Sequence, residues 1–182
     1  MITYKVYYTL IVKEVLAMAK RQVFFSFEYN KDAWRVAQIR NICLGSCYVV
    51  TTDRDWEEVR IKSVDAIKEW IDERIAQCDC VVVLIGTTTA YRKWVLYEIE
   101  KACELNKGIV GIYVHKIRNI VGDRTGKGKN PFEEVLTDKG EKLSDYVVCY
   151  DSPRLSSEGV CEDITEKLGD LVGRAVKDKA AK

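Results

Sequence analysis

The sequence predicts an α/β domain: a five-stranded parallel sheet in the order 2-1-3-4-5, with helices packed on both faces. Three observations carry this prediction. Apolar runs recur at 23–27, 81–85 and 108–114, that at 81–85 wholly β-branched and aliphatic, as in strands covered on both sides. Segments whose apolar residues repeat at helical spacing alternate with these runs, which is the pattern of a parallel sheet joined by right-handed crossovers. A chain of 182 residues, 47% of them hydrophobic, supplies one well-cored domain and is short for two.

The elements follow in order. Residues 1–17 are interrupted by Lys5, Lys13 and Glu14, too short and too charged to span a bilayer or act as a secretory signal. They read as an N-terminal appendage, with a single domain over 18–182. Residues 23–27 form the first strand, 29–32 a polar turn, and 33–44 a helix stopped by Gly45. A short strand at 47–50 leads into the polar loop 51–62, where Trp56 stands among acidic and basic neighbours. Ser63 caps a helix whose apolar face is Val64, Ile67, Trp70, Ile71 and Ile75.

The run 81–85 is the central strand, and Gly86 ends it. Thr87, Thr88 and Thr89 follow, placing hydroxyls and backbone donors where a helix N-terminus favours an anionic group such as a phosphate. The next helix presents Trp94, Val95, Ile99, Ala102 and Cys103 to the core, with Glu98 four residues after Trp94 on the edge of that stripe. A fourth strand at 108–114 precedes a basic, glycine-containing connection at 116–130 and a short segment at 131–134. A fifth strand at 146–150 precedes a last helix with Val160, Ile164, Leu168, Leu171, Val172 and Ala175 on one face.

Flavodoxin-like sheets of this order bind ligands outside the carboxyl ends of strands 1 and 3, where the winding reverses. That point gathers Ser26, Phe27, Glu28 and Tyr29 at the end of strand 1, Trp56 after strand 2, Thr87 in the central turn, and Trp94 with Glu98 on the helix beyond. An indole at a pocket rim suits stacking on a base, although packing is the commoner role for residues such as Trp56 and Trp94. Glu98 is open between a pocket carboxylate and a surface partner of Lys101.

Composition excludes several classes. Twenty-nine basic and 28 acidic residues leave a formal charge of +1, so no global field marks a nucleic-acid or membrane binder. Seven scattered cysteines and one histidine lack metal-knuckle spacing and read as free, mostly structural thiols of a cytoplasmic protein, with no metal site. The stretch 122–127 falls one residue short of a phosphate-binding P-loop and lacks its Ser or Thr. Neither a G-x-G-x-x-G nor a G-x-S-x-G motif is present. Strand 3 ends in Gly86-Thr87 rather than an aspartate, which argues against phosphotransfer.

Three stretches carry a family likeness: Val23-Phe-Phe-Ser-Phe27, Val81-Val-Val-Leu-Ile85, and Arg92-Lys-Trp94-Val-Leu-Tyr-Glu98-Ile99. Together they resemble a TIR domain. With Lys129-Asn-Pro-Phe132 the chain is similar to the ThsB group of TIR-like proteins of bacterial Thoeris antiphage defence, over about 19–134. The resemblance implies a three-layer αβα fold and cleavage of the nicotinamide–ribose bond of NAD, a substrate, with no separate cofactor. The product would be a signalling nucleotide such as a cyclic ADP-ribose isomer that activates a separate effector protein. Glu98 would be the catalytic carboxylate, and Phe27, Tyr29 and Trp56 would line the nucleotide pocket. Where some relatives carry basic residues after strand 1, this chain has Glu28-Tyr29. Two rivals stand beside this reading: a non-catalytic scaffold acting by self-association or partner docking, and an enzyme like the nucleoside deoxyribosyltransferases, with glutamate as nucleophile. A homo-oligomer is compatible with each.

Overall fold

A computed structural model of the chain describes residues 21–43, 49–50, 58–59 and 61–179. The appendage 1–17 and Trp56 lie outside the described residues. Within them, β1 (Gln22–Ser26), β2 (Val49–Val50), β3 (Cys80–Ile85), β4 (Gly108–Tyr113) and β5 (Cys149–Tyr150) form one sheet in the order β2-β1-β3-β4-β5, with every pairing parallel. One rung crosses four strands, from Ser26 to Val83 to Gly111 to Cys149. The sheet order is the flavodoxin-like one that the sequence reading expects.

Each apolar run is divided between two cores by the two-residue period of a strand. Phe24, Val81, Val83 and Ile85 face helices α2 (Val64–Gln77) and α3 (Lys93–Glu104), packing with Ile67, Ile71, Ile75, Val95, Ile99 and Ala102. Val23, Phe25, Val82 and Leu84 face α1 (Tyr29–Cys43) and α4 (Ser157–Asp178), packing with Val36, Ile39, Val160, Ile164, Leu168 and Val172. β3 is buried along its whole length, as a central strand with helices on both sides must be. Ser63 and Ser156 cap α2 and α4, their hydroxyls accepting from Ala66 N at 3.3 Å and Gly159 N at 3.0 Å. No helix among the described residues is long and apolar enough to cross a membrane.

Several boundaries differ from the sequence reading. α1 begins at Tyr29 rather than Ala33, because the Glu28 carbonyl already accepts from Asp32 N at 2.9 Å and draws the polar turn into the first helical turn. β5 is only Cys149–Tyr150. A 3-10 turn at Leu143–Asp145 commits the amides of Tyr146 and Val147 to the Leu143 carbonyl, so they cannot join the sheet. Val64, first after its cap, is half-exposed and stands off the core stripe of α2.

Candidate active site

Glu98 is inside the protein. On α3 the buried residues are Val95, Glu98, Ile99 and Ala102, so Glu98 belongs to the core-facing stripe and half-buried Trp94 stands at its edge, the reverse of the sequence reading. Lys101 pairs with Glu104 at 2.6 Å and Asp72 at 3.5 Å, not with Glu98. The Glu98 side chain reaches the last residue of β1, where the Ser26 hydroxyl donates to Oε2 at 2.5 Å. Ser26 is itself buried. The strand period turns Ser26, like Phe24, toward α3, and the order of the sheet sets the ends of β1 and β3 side by side beneath that helix.

Burial governs this carboxyl. Loss of hydration pushes its pKa up to about 8, and the Ser26 hydrogen bond opposes the rise only in part. Near neutral pH the group holds a proton and sits at the threshold of losing it. A carboxyl so poised is a functional-site signature when it lies at a ligand-binding end of the sheet.

The turn after β3 is built differently from the anion-holding helix start that its threonines suggest. Thr89 opens a 3-10 turn (Thr89–Tyr91), and α3 begins only after Arg92, whose side chain makes no cap. The Thr89 hydroxyl accepts from Gly86 N at 2.9 Å, and exposed Thr87 donates to Gly126 O at 3.2 Å. Thr88 accepts from Lys31 Nζ at 3.2 Å and Arg92 Nη2 at 3.3 Å, and donates to Glu28 Oε2. Arg92 also pairs directly with Glu28 Oε1 at 2.6 Å. The positive charge absent directly after β1 is thus supplied from α1 and from the start of α3.

A second polar unit braces the same turn. Buried Arg35 pairs with buried Asp32 at 3.0 Å and donates from Nε to Ile117 O at 2.8 Å and from Nη2 to Asp123 O at 3.3 Å. Burial raises the Asp32 carboxyl despite Arg35, and its Oδ2 has no hydrogen-bond partner. That oxygen lies so close to Gly86 that a side chain there would collide with it. Gly128 from the long connection rests on the Gly86 carbonyl with equally little room. The connection is therefore folded onto the switch point rather than being a solvated link. Its lysines are paired internally, Lys116 and Lys127 with Asp151 at 2.8 and 2.9 Å, and Lys129 with Glu134 at 2.5 Å. Half-buried His115 stacks edge-on against Tyr113 with centroids 5.9 Å apart.

The residues proposed from sequence do not all converge. Ser26 and Glu98 meet. Phe27 packs on the α1–α4 core, opposite to Glu98, with its ring 6.2 Å from that of Tyr29. Trp94 packs on the α2–α3 core, edge-on to Tyr97 at 6.1 Å and beneath Lys93. Thr87 ties down the connection. The sequence reading sets Glu28 at the switch point and gives no site role to Lys31, Asp32, Arg35 or Arg92. A Lys-Asp pair followed three residues later by Arg, on the first turn after the switch-point strand, is the signal that could have found most of them.

These features define a parallel α/β domain whose candidate site is a proton-holding carboxyl buried at the switch point beneath a helix of the W-V-x-x-E-I form. The family model "Thoeris protein ThsB, TIR-like domain" matches residues 24–119, more than half of the chain, and the chain belongs to that family. Among curated proteins it is 36% identical over 121 residues to a protein of Bacillus cereus (strain MSX-D12) named "Putative cyclic ADP-D-ribose synthase ThsB1". The match takes in 64% of this chain and spans 62% of the relative's own length. Among solved structures, a diflavin flavoprotein A3 from Nostoc sp. superposes with a TM-score of 0.45 at 11% identity, over 87% of this chain and 94% of that one. That likeness is too slight to bear on function.

Proposed function

We propose that this protein is an NAD-processing enzyme of bacterial antiphage defence, in which one flavodoxin-like TIR domain over 18–182 cleaves the nicotinamide–ribose bond. The product is a cyclic ADP-ribose isomer, a diffusible signal read by a separate effector protein. Membership of the ThsB family and the name of the Bacillus cereus relative support this reading. The observation that carries it is Glu98, buried and hydrogen-bonded to Ser26.

The chemistry asks for such a group. Breaking the bond sends its electron pair out with neutral nicotinamide and leaves positive charge on the ribosyl carbon and ring oxygen. An adjacent carboxylate stabilises that charge as it develops. Near neutral pH Glu98 carries a proton, so no uncompensated charge is buried. The cationic nicotinamide ring favours the ionised form, and binding drives that proton to solvent. Ser26 fixes the carboxyl in one orientation and supports its anion. With water excluded, a hydroxyl or ring nitrogen of the same nucleotide captures the ribosyl carbon and releases one proton, giving the cyclic product. Capture by water gives ADP-ribose instead.

The test is to incubate the full-length protein with NAD, alone and with lysate of phage-infected cells, and resolve products by mass spectrometry. Free nicotinamide with a partner one water lighter than ADP-ribose is expected. No nicotinamide under either condition contradicts the reading.

A further inference from the structure

We infer that Glu28 is a built-in counter-anion occupying a diphosphate subsite formed by Lys31 and Arg92, and that a nucleotide displaces it from Arg92 on binding. The inference rests on the nucleotide reading of the switch point given above.

Lys31 and Arg92 come from different elements, yet both donate to one oxygen, Thr88 Oγ1. A hydroxyl has one proton and two lone pairs, and here all are used: it accepts from both cations and donates to Glu28. Two cations converging on one atom, at the carboxyl ends of β1 and β3, make the geometry an anionic oxygen group takes. The group present is the carboxylate of Glu28, which is only 6% exposed and pairs with Arg92 at 2.6 Å.

Two features make this pair exchangeable. The cluster holds two cations against one carboxylate, because neighbouring Asp32 is committed to Arg35. Among the described residues, one positive charge is therefore in excess. Arg92 is 44% exposed on its side chain and Lys31 is exposed, so neither is sealed from solvent or from an incoming ligand. Glu28 is not abandoned by the exchange, since the Thr88 hydroxyl still donates to it. A diphosphate, with more charge and more acceptor oxygens than a carboxylate, outcompetes it for the guanidinium. Ligands lacking phosphates gain nothing from the exchange, so the subsite selects for phosphorylated nucleotides.

Isothermal titration of ADP-ribose and of adenosine into the full-length protein and its variants tests this. Glu28→Gln keeps shape and removes the competing charge, and tightens ADP-ribose binding about fivefold or more. Arg92→Gln weakens it by a similar factor. In the combined variant the gain from Glu28→Gln disappears, because the two substitutions act through one contact. Adenosine binding stays unchanged throughout. If Glu28→Gln fails to fold, Glu28→Asp, which draws the carboxylate back from Arg92 by one methylene, takes its place with a smaller tightening expected. Unchanged or weaker ADP-ribose binding in the Glu28 variant, or unchanged binding in Arg92→Gln, overturns the inference while the nucleotide site stands. If the parent protein binds neither ADP-ribose nor NAD, the nucleotide reading fails and takes the inference with it.

Discussion

The Ser26 hydroxyl donates to Glu98 at 2.5 Å, joining the last residue of β1 to the buried face of α3. This contact fixes the carboxyl while burial keeps it protonated, its pKa pushed up to about 8. If the ionised form is the working one, kcat/KM for NAD rises with pH and levels off above about 8. The kcat profile turns at lower pH, because the bound cation favours the carboxylate. A pH–rate series on the purified enzyme measures both. A flat profile between pH 6 and 9 contradicts the assignment.

The same group makes the fold sensitive to pH. Between the ordinary carboxyl value of 4.5 and about 8, native Glu98 retains a proton that the unfolded chain has released. Its contribution to stability is therefore greatest below 4.5 and falls as pH rises toward 8, by an amount on the order of a few kcal/mol. Glu98→Gln, which mimics the neutral form, melts close to the parent at pH 5 and several degrees above it at pH 8.5. Thermal melts at the two pH values read the difference, and a pH-independent gap counts against burial as the cause.

Ser26→Ala removes the hydrogen bond that lowers the Glu98 pKa. The midpoint of the kcat/KM profile moves to higher pH, and stability falls by about 1 kcal/mol through the lost hydrogen bond. Urea unfolding and the pH–rate series check the two effects separately.

Two glycines of the long connection, two residues apart, separate packing from flexibility. Gly128→Ala forces a methyl group into the Gly86 carbonyl, whereas nothing lies within 4 Å of a Cβ at Gly126. The first substitution costs about 1–3 kcal/mol and loosens the connection. The second stays within about 0.5 kcal/mol. Comparable melting temperatures for the two would show that the connection does not rest on the switch point.

The parallel sheet and its helices were legible in the sequence because the central strands are long apolar runs and the helices hold a clear period, while the strand order, and with it the switch point, came from choosing the flavodoxin-like arrangement. The site was legible less completely. Glu98 was placed at the edge of its stripe by its charge, although its spacing from Val95 and Ala102 already sets it on the buried face of α3. Thr87, Thr88 and Thr89 read as a ligand cradle, yet a 3-10 turn directs Thr88 and Thr89 to protein partners that no local pattern reveals. Arg35 reaches carbonyls of Ile117 and Asp123 far along the chain, a contact that only the folded topology creates.

Substitution of one carboxyl tests the central claim most directly. Glu98→Gln keeps the shape and the Ser26 contact but removes the charge that meets the ribosyl cation, while Glu100→Gln changes an exposed residue on the same helix. Nicotinamide release from NAD is measured for both beside an active parent enzyme. The account predicts a loss of about a hundredfold or more for Glu98→Gln, the scale of a preorganised charge in a site closed to water, and near-parental turnover for Glu100→Gln. Full turnover by Glu98→Gln would contradict it.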